Sequence, residues 1–89
     1  MFLAKVRGTV VSTSKDERLV GFKLLVVQRL GVEGEYLSYP QVAVDTVGAG
    51  VGETVIVTGG SSARFAASRS DAPIDATIVG IVDSVEIGA

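Results

Sequence analysis

The residues that could do chemistry in this chain fall in three short stretches, where apolar runs meet small residues or a charge. They are 45–50 (Asp-Thr-Val-Gly-Ala-Gly), 60–64 (Gly-Ser-Ser-Ala-Arg) and 73–83, which contains Asp75 and Asp83. The corresponding chemistries are phosphate binding by a glycine loop, attack by a serine nucleophile, and acid–base catalysis or cation binding by carboxylates. Each of these chemistries needs further residues, and whether the sequence contains them decides how each stretch is interpreted.

The glycine-rich stretch 48–52 superficially suggests a phosphate loop. Such a loop needs a lysine and then Ser or Thr after its second glycine, and it opens a helix. Here Glu53 and Thr54 follow the glycines and lead into a predicted strand. Backbone amides alone could hold an anion. We interpret the stretch as a tight bend, because glycine permits positive φ and close backbone approach.

Ser61 and Ser62 follow a glycine pair in a pattern that could be misread as a nucleophile elbow. The chain has no histidine and no cysteine, so neither a Ser-His-Asp nor a Cys-His arrangement can be built within it. No lysine is spaced to act as the base instead. We interpret either serine as the cap of a short helix, with Arg64 in its first turn. The first amides of that helix could also face a pore or bind a small anion.

Asp45, Asp75 and Asp83 each lie beside or inside an apolar strand segment. They could form an acid–base pair or bind a divalent cation. A charge in such a setting is costly unless it is paired. We therefore expect each to accept hydrogen bonds from a glycine loop or to pair with an arginine. Our specific hypothesis is that at least one of them pairs with Arg64, within a subunit or across an interface.

The elements that must position these residues are five predicted strands and one short helix. The strands are expected at 2–13, 23–30, 41–47, 53–58 and 74–87, and the helix at 61–67. Gly8 inside the first strand predicts a bulge or a barrel bend, and Gly80 predicts a bend in the last strand. Short strands with interior glycines favour an all-β fold, a small and strongly bent β-barrel that removes free edges by closing.

The composition predicts one small domain with apolar surface to spare. The 89 residues are 47% hydrophobic, with a mean hydropathy of +0.47. A chain of this length buries only about 60–65% of the surface that its unfolded form exposes. Small scaffolds without disulfides or metal are often stabilised by oligomerisation. We therefore expect part of the apolar surplus to lie between subunits.

Charge and residue types argue against several other classes of protein. The net charge is −2, the eight basic residues are scattered, and aromatics make up 6% with no tryptophan, which disfavours nucleic-acid binding. No apolar run approaches the ~20 residues of a membrane span. The start lacks a secretion signal, which predicts a cytosolic protein. Without cysteine, disulfides and thiolate metal sites are excluded, and zinc is disfavoured because only carboxylates remain as ligands. Solvated charges are expected at Arg7, Arg18, Arg29 and Arg69.

In their order and spacing, these segments resemble the EutN/CcmL family, the vertex proteins of bacterial microcompartment shells. The likeness runs over nearly the whole chain, and each segment alone is a weak signal. The segments that carry it are 8–13, 23–27, 42–45, 47–53, 60–64, 73–76 and 80–83. Together, in a chain of this length, they form a specific pattern.

The resemblance implies an OB-like five-stranded β-barrel with one short helix, a single domain over residues 1–89, assembling as a cyclic homopentamer. Such pentamers cap the vertices of an icosahedral shell otherwise built from hexameric or pseudohexameric shell proteins, in the bacterial cytoplasm. The implied role is structural, with no catalysis, metal or cofactor. Candidates for the pore or five-fold axis are Gly48, Ala49, Gly50, Ser61 and Ser62. Candidates for the subunit interface or structural ion pairs are Asp45, Arg64, Asp75 and Asp83.

Two other classes remain as alternatives. One is an OB-like binding module for single-stranded nucleic acid or a small ligand, which the charge and the few aromatics disfavour. The other is an enzyme, which would have to work without histidine or cysteine. The resemblance also implies that the segments 31–40 and 65–72 are the variable loops of the family, and these are the expected places for contacts with hexamers or cargo.

Overall fold

The computed structural model describes residues 1–88, and they form a small β-barrel with one α-helix. The strands are β1 (Phe2–Val10), β2 (Lys23–Leu30), β3 (Gln41–Asp45), β4 (Thr54–Gly59) and β5 (Ala76–Val82), with helix α1 (Ser61–Ala66) between β4 and β5. A turn of 3-10 helix covers Glu17–Leu19. All five predicted strands and the predicted helix are present.

The first and last strands are shorter than the sequence pattern predicts. β1 ends at Val10 rather than at residue 13, because Val10 lies opposite Leu24, near the start of β2, and the next residues have no strand partner. β5 covers 76–82 rather than 74–87, since its partner β4 extends only from Thr54, opposite Val82, to Gly59. Composition signals which residues favour a strand, whereas the partner strand sets where pairing stops.

The sheet closes on itself in the order β1-β2-β3-β5-β4, with β4 returning to β1. Four of the five strand pairings are antiparallel, and the fifth joins β3 and β5 in parallel. This parallel seam consists of two residue pairs, Val44 with Thr77 and Asp45 with Ile78. The predicted fold class, an all-β five-stranded barrel with one short helix, is confirmed.

Two bulges curve the sheet enough to close so small a barrel. The β1–β2 register shifts between Val6 and Gly8, as Gly8 predicts. The β4–β5 register shifts beside Gly80, which lies opposite Ile56. A Cβ at position 80 would come within 3.4 Å of the Ile56 side chain. Bulges increase the local twist of a strand, so these positions bend β1 and β5 as the sequence predicts.

Small and β-branched side chains fill the barrel. The interior cluster consists of Ala4, Val6, Leu25, Val27, Ala43, Ala49, Val55, Val57, Ala76 and Ile78. A second cluster lies between α1, the segment after it and the outer side of the barrel. It comprises Val44, Ala63, Ala67, Ala72 and Ile74, with Leu19, Phe22 and Leu24 packed against it. The helix is therefore held against the barrel through its alanine face.

Candidate subunit-contact surfaces

The glycine loop between β3 and β4 is held by two carboxylates. Asp45 accepts hydrogen bonds from the amides of Val47 (3.1 Å, Oδ1) and Ala49 (2.9 Å, Oδ2). Glu53 Oε1 accepts one from the Gly50 amide at 2.6 Å. For Asp45, the expected bonding to a glycine loop is confirmed. Because Asp45 and Glu53 already accept hydrogen bonds from these amides, the amides are not available to donate to a phosphate. This argues against a phosphate loop.

Further bonds fix this loop against the barrel. Lys23 Nζ donates to the Ala49 carbonyl at 2.7 Å, and Thr46 Oγ1 donates to the Ile78 carbonyl at 2.7 Å. The loop turns through Gly48 and Gly52, whose φ angles are +79° and +92°. Such positive φ angles are the conformations that favour glycine. The loop is thus a rigid bend of the kind that its glycines predict.

Ala49 is a correction to the set of axial candidates. Its side chain is fully buried and belongs to the interior cluster of the barrel. The Asp45 bond to its amide fixes this orientation, so Ala49 cannot line an opening. Gly48 is exposed and Gly50 is half-buried, and both remain available to a neighbouring subunit.

The helix begins differently from the prediction. Gly60 is the N-cap residue, with φ 62° and ψ −149°, and no side chain caps the helix. This conformation is almost restricted to glycine, and the Gly60 amide donates to the Asp75 carbonyl at 3.1 Å. The predicted serine cap is therefore wrong. Ser61 and Ser62 lie exposed in the first turn, where they are free to meet another molecule.

Arg64 forms no ion pair within residues 1–88. The two ion pairs there join Arg18 with Asp16 at 2.7 Å and Arg69 with Asp71 at 3.4 Å. Asp75 and Asp83 are exposed, so within one chain they escape the desolvation cost that motivated a partner. The hypothesis that Arg64 pairs with an aspartate therefore remains a prediction only for contacts between subunits.

Arg18 has a structural role that the sequence interpretation missed. Its guanidinium bonds both oxygens of Asp16, at 2.9 and 2.7 Å, and donates to the Asp71 carbonyl at 2.6 Å. The side-chain hydrogen bond from Arg18, together with one from its backbone amide, holds the pKa of Asp16 well below its usual range. An aspartate two residues before an arginine at a helical turn is a local capping signal. By contrast, no local sequence pattern indicates the hydrogen bond from Arg18 to the Asp71 carbonyl, because the two residues lie far apart in the chain.

Two more arginines, both of them exposed, lie over aromatic rings. The Arg29 guanidinium is 4.8 Å from the centre of the Phe2 ring, and that of Arg7 is 4.8 Å from the centre of the Tyr36 ring. These are cation–π distances. Arg7 and Arg29 are exposed, as expected for solvated charges, and each has an aromatic partner as well. Arg18 and Arg69 each pair with an aspartate of their own chain.

The single chain exposes many large apolar side chains. Tyr39 is 91% exposed and Phe65, on the outer face of α1, is 72% exposed. The others include Val11, Val20, Val32, Leu37, Val42, Val51, Val85 and Ile87. Scattered apolar residues are ordinary, but larger apolar patches mark interaction sites. An apolar surplus on the surface agrees with the expectation that assembly covers part of it.

A groove of about 160 Å³ opens beside the parallel seam. Its apolar lining comprises Leu19, Leu24, Val42, Val44, Pro73, Ile74 and Ala76, and Asp75 is its charged member.

Within residues 1–88, no three acidic side chains lie close enough to hold a metal ion. In that same part of the chain, no helix is long and apolar enough to cross a membrane.

The class of protein that this structure defines is a small closed β-barrel of five strands with one short helix. The particular family follows from the sequence. The family described as ethanolamine utilisation protein EutN/carboxysome matches residues 1–83, and the chain belongs to this EutN/CcmL family. The resemblance predicted from the sequence segments is confirmed.

Relatives in this family are shell proteins of bacteria. The chain is 59% identical, over 97% of each sequence, to the bacterial microcompartment shell vertex protein GrpN of Rhodospirillum rubrum. It is 52% identical to the carboxysome shell vertex protein CcmL of Synechocystis, over all of this chain and 89% of that one. The solved GrpN pentameric microcompartment shell protein superposes with a TM-score of 0.89, over 99% of this chain and 100% of that one.

Proposed function

We propose that this protein is a structural component of a bacterial microcompartment shell and forms homopentamers that cap the shell's vertices. Residues 1–89 act as a single vertex domain. One observation carries the proposal: the chain is 59% identical to a pentameric microcompartment shell protein that it covers completely, with a TM-score of 0.89. The exposed apolar side chains of the single chain support it, because a ring gives them partners.

A pentamer imposes a definite requirement on this surface. Cyclic assemblies with more than two copies use head-to-tail contacts, in which one patch meets a different patch on the neighbour. Gly48, Gly50, Ser61 and Ser62 are exposed or half-buried, and we assign them to the axial opening. Arg64 and the exposed Asp75 and Asp83 are assigned to the contacts between subunits.

Native mass measurement tests the pentamer. We expect a species of five times the 9.2 kDa chain mass that persists at low micromolar concentration. A monomer or dimer under these conditions would contradict the proposal. Salt-dependent binding of single-stranded DNA would favour the alternative of an OB-like binding module, because counterion release makes phosphate contacts sensitive to salt.

The vertex role includes hexameric shell proteins as partners and a place in the bacterial cytoplasm. The test is to produce those shell proteins with this protein, without it, and with a variant that does not form pentamers. Closed polyhedral shells are expected only in the first case, as seen by electron microscopy. Closed shells in all three cases would show that the protein is dispensable for closing vertices. The proposed role is non-catalytic.

The assigned arginine contact has its own test. Arg64→Ala should lower the pentamer fraction after dilution, since an aspartate on the neighbour loses its partner. Arg69→Ala is the matched control, because Arg69 already pairs with Asp71 in its own chain. Equal pentamer fractions and equal Tm values for the Arg64 variant and the unsubstituted protein would refute the assignment.

The assigned axis can be tested through cysteine chemistry, since the chain has no cysteine of its own. Copies of residue 62 near a five-fold axis lie close together, so Ser62→Cys should form disulfide-linked dimers under mild oxidation. Ser14→Cys, at an exposed loop position, is the control. If the Ser62→Cys pentamer stays intact and gains no more crosslinks than the control, Ser62 does not face the axis.

A further inference from the structure

We propose that the segment after β5, residues 84–87, binds in the groove beside the β3–β5 seam of a neighbouring copy. This segment is called the tail, and the groove is the one lined by Val42, Val44 and Ile74. The inference rests on the proposed pentamer and adds to it the pair of surfaces that join one subunit to the next.

The tail has the pattern of a strand but no strand partner. Its sequence, Ser84-Val85-Glu86-Ile87, alternates polar and apolar residues, which is the period of a half-buried strand. Val85 is 45% exposed and Ile87 is 61% exposed. No strand pairing or backbone hydrogen bond involves residues 84–88 within the described chain. Such a segment gains partners only from another surface.

The groove offers what the tail lacks. β3 pairs with β2 along its whole length but with β5 only at Val44 and Asp45. The β5-facing edge of residues 41–43 is therefore unpaired, and Val42 beside it is 48% exposed. The groove volume of about 160 Å³ is close to that of an engineered apolar cavity that holds benzene, roughly 150 Å³. A valine or isoleucine side chain fits this space.

The groove cannot be filled by the tail of its own chain. It lies at the start of β5, beside Ala76, whereas the tail leaves from the far end, after Val82. At about 3.3 Å per residue, the six steps of β5 separate these points by roughly 20 Å. The four tail residues span only about 13 Å when extended, which is too short to reach back to the groove. A second copy must supply the occupant.

Charge fixes which face of the tail enters. Asp75 is the charged side chain lining the groove, and it would repel Glu86. In an extended tail, Glu86 points away from the side occupied by Val85 and Ile87. The apolar pair therefore enters the groove and Glu86 remains in water. Addition of a strand to a free edge, with alternate side chains in pockets, is a common mode of protein recognition.

Cysteine pairs test this contact, because a disulfide between tail and groove can form only between chains. We expect Val42→Cys combined with Val85→Cys, or with Ile87→Cys for the neighbouring register, to give a ladder of crosslinked species up to the pentamer under mild oxidation. The matched control combines Val42→Cys with Val11→Cys, an 88% exposed position in another loop. Each single variant forms at most crosslinked dimers.

A second variant keeps the test independent of disulfide formation. Val85→Lys should raise the dissociation constant of the pentamer at least tenfold, while Val11→Lys should change it less than twofold. Native mass spectrometry of a dilution series measures both constants. If the unsubstituted protein is not pentameric, the proposed function fails. If it is pentameric, but neither cysteine pair gives a ladder above control and Val85→Lys assembles normally, the tail contact alone is refuted. Where the cysteine variants do not assemble, the lysine result decides.

Discussion

At the scale of single residues, Asp45 determines the shape of the bend between β3 and β4. Its half-buried carboxylate accepts two backbone amides of the loop, and the second of these turns Ala49 into the barrel core. One side chain thus links the loop conformation to the packing of the interior. The same bonds occupy amides that an anion would otherwise need.

Asp45→Ala should lower the free energy of unfolding by about 2 kcal/mol, because partly buried amides lose a charged acceptor. Glu33→Ala, at an exposed turn position, should change it by less than about 0.5 kcal/mol. Urea unfolding followed by circular dichroism, at one fixed protein concentration, measures both. Matching midpoints for the two variants would mean that the carboxylate does not stabilise the loop.

Roles could be predicted from the sequence for residues whose partners are local. Asp45 accepts from the amides of Val47 and Ala49, two and four residues further along the chain, so its role in the glycine loop could be predicted. The contact from Arg18 to the Asp71 carbonyl joins segments far apart in the chain, and no spacing rule indicates it. Ala49 was misassigned because an alanine between two glycines carries no signal of which way its side chain points.

At the scale of elements, α1 depends on its attachments. A helix of six residues is too short to be stable alone. Its buried residue, Ala63, packs in the second cluster, and the Ala63 carbonyl accepts a hydrogen bond from the fully buried Thr77 Oγ1 at 2.7 Å. Gly60 adds the sharp turn that brings the chain from β4 onto the helix. The helix is thus positioned by β5 and by the preceding glycine.

Thr77→Val should destabilise the protein by about 1 kcal/mol. The substitution keeps the side-chain shape and removes one buried hydrogen bond, while the Ala63 carbonyl still accepts from the Ala67 amide. Thr13→Val, at an exposed position, is the control and should be neutral within about 0.5 kcal/mol. A shift in Tm as small as that of the control would show that this bond does not hold α1 to β5.

The elements themselves could be predicted, but their ends and caps could not. β-branched runs indicated the five strands, and Gly8 and Gly80 indicated where they bend. The extent of β1 and β5 depends on which strands lie beside them, which local composition does not contain. The predicted serine cap is wrong because the chain enters α1 through Gly60, in a conformation that lets the Gly60 amide donate to the carbonyl of Asp75, the residue before β5.

At the scale of the whole molecule, stability and assembly are coupled. If five copies bury apolar surface that one copy exposes, the folded state is favoured at higher protein concentration. The Tm should therefore rise with protein concentration between about 0.1 and 100 μM, as measured by scanning fluorimetry. Val85→Lys should show a lower Tm and a transition that approaches that of the monomer. A Tm independent of concentration, for a pentamer that dissociates within this range, would contradict the coupling.

The way in which the barrel closes has a consequence for how the chain folds. β1 and β2 can form a hairpin early, but Phe2 also pairs with Val57 of β4, and the parallel seam joins Val44 to Thr77. During synthesis, one edge of β1 therefore stays unpaired until β4 has been synthesised, and the parallel seam forms only after β5 has been synthesised. Distant pairings of this kind slow folding to about milliseconds or seconds. During that time the incomplete sheet exposes unpaired strand edges, and pairing of these edges with another nascent chain competes with closure of the barrel.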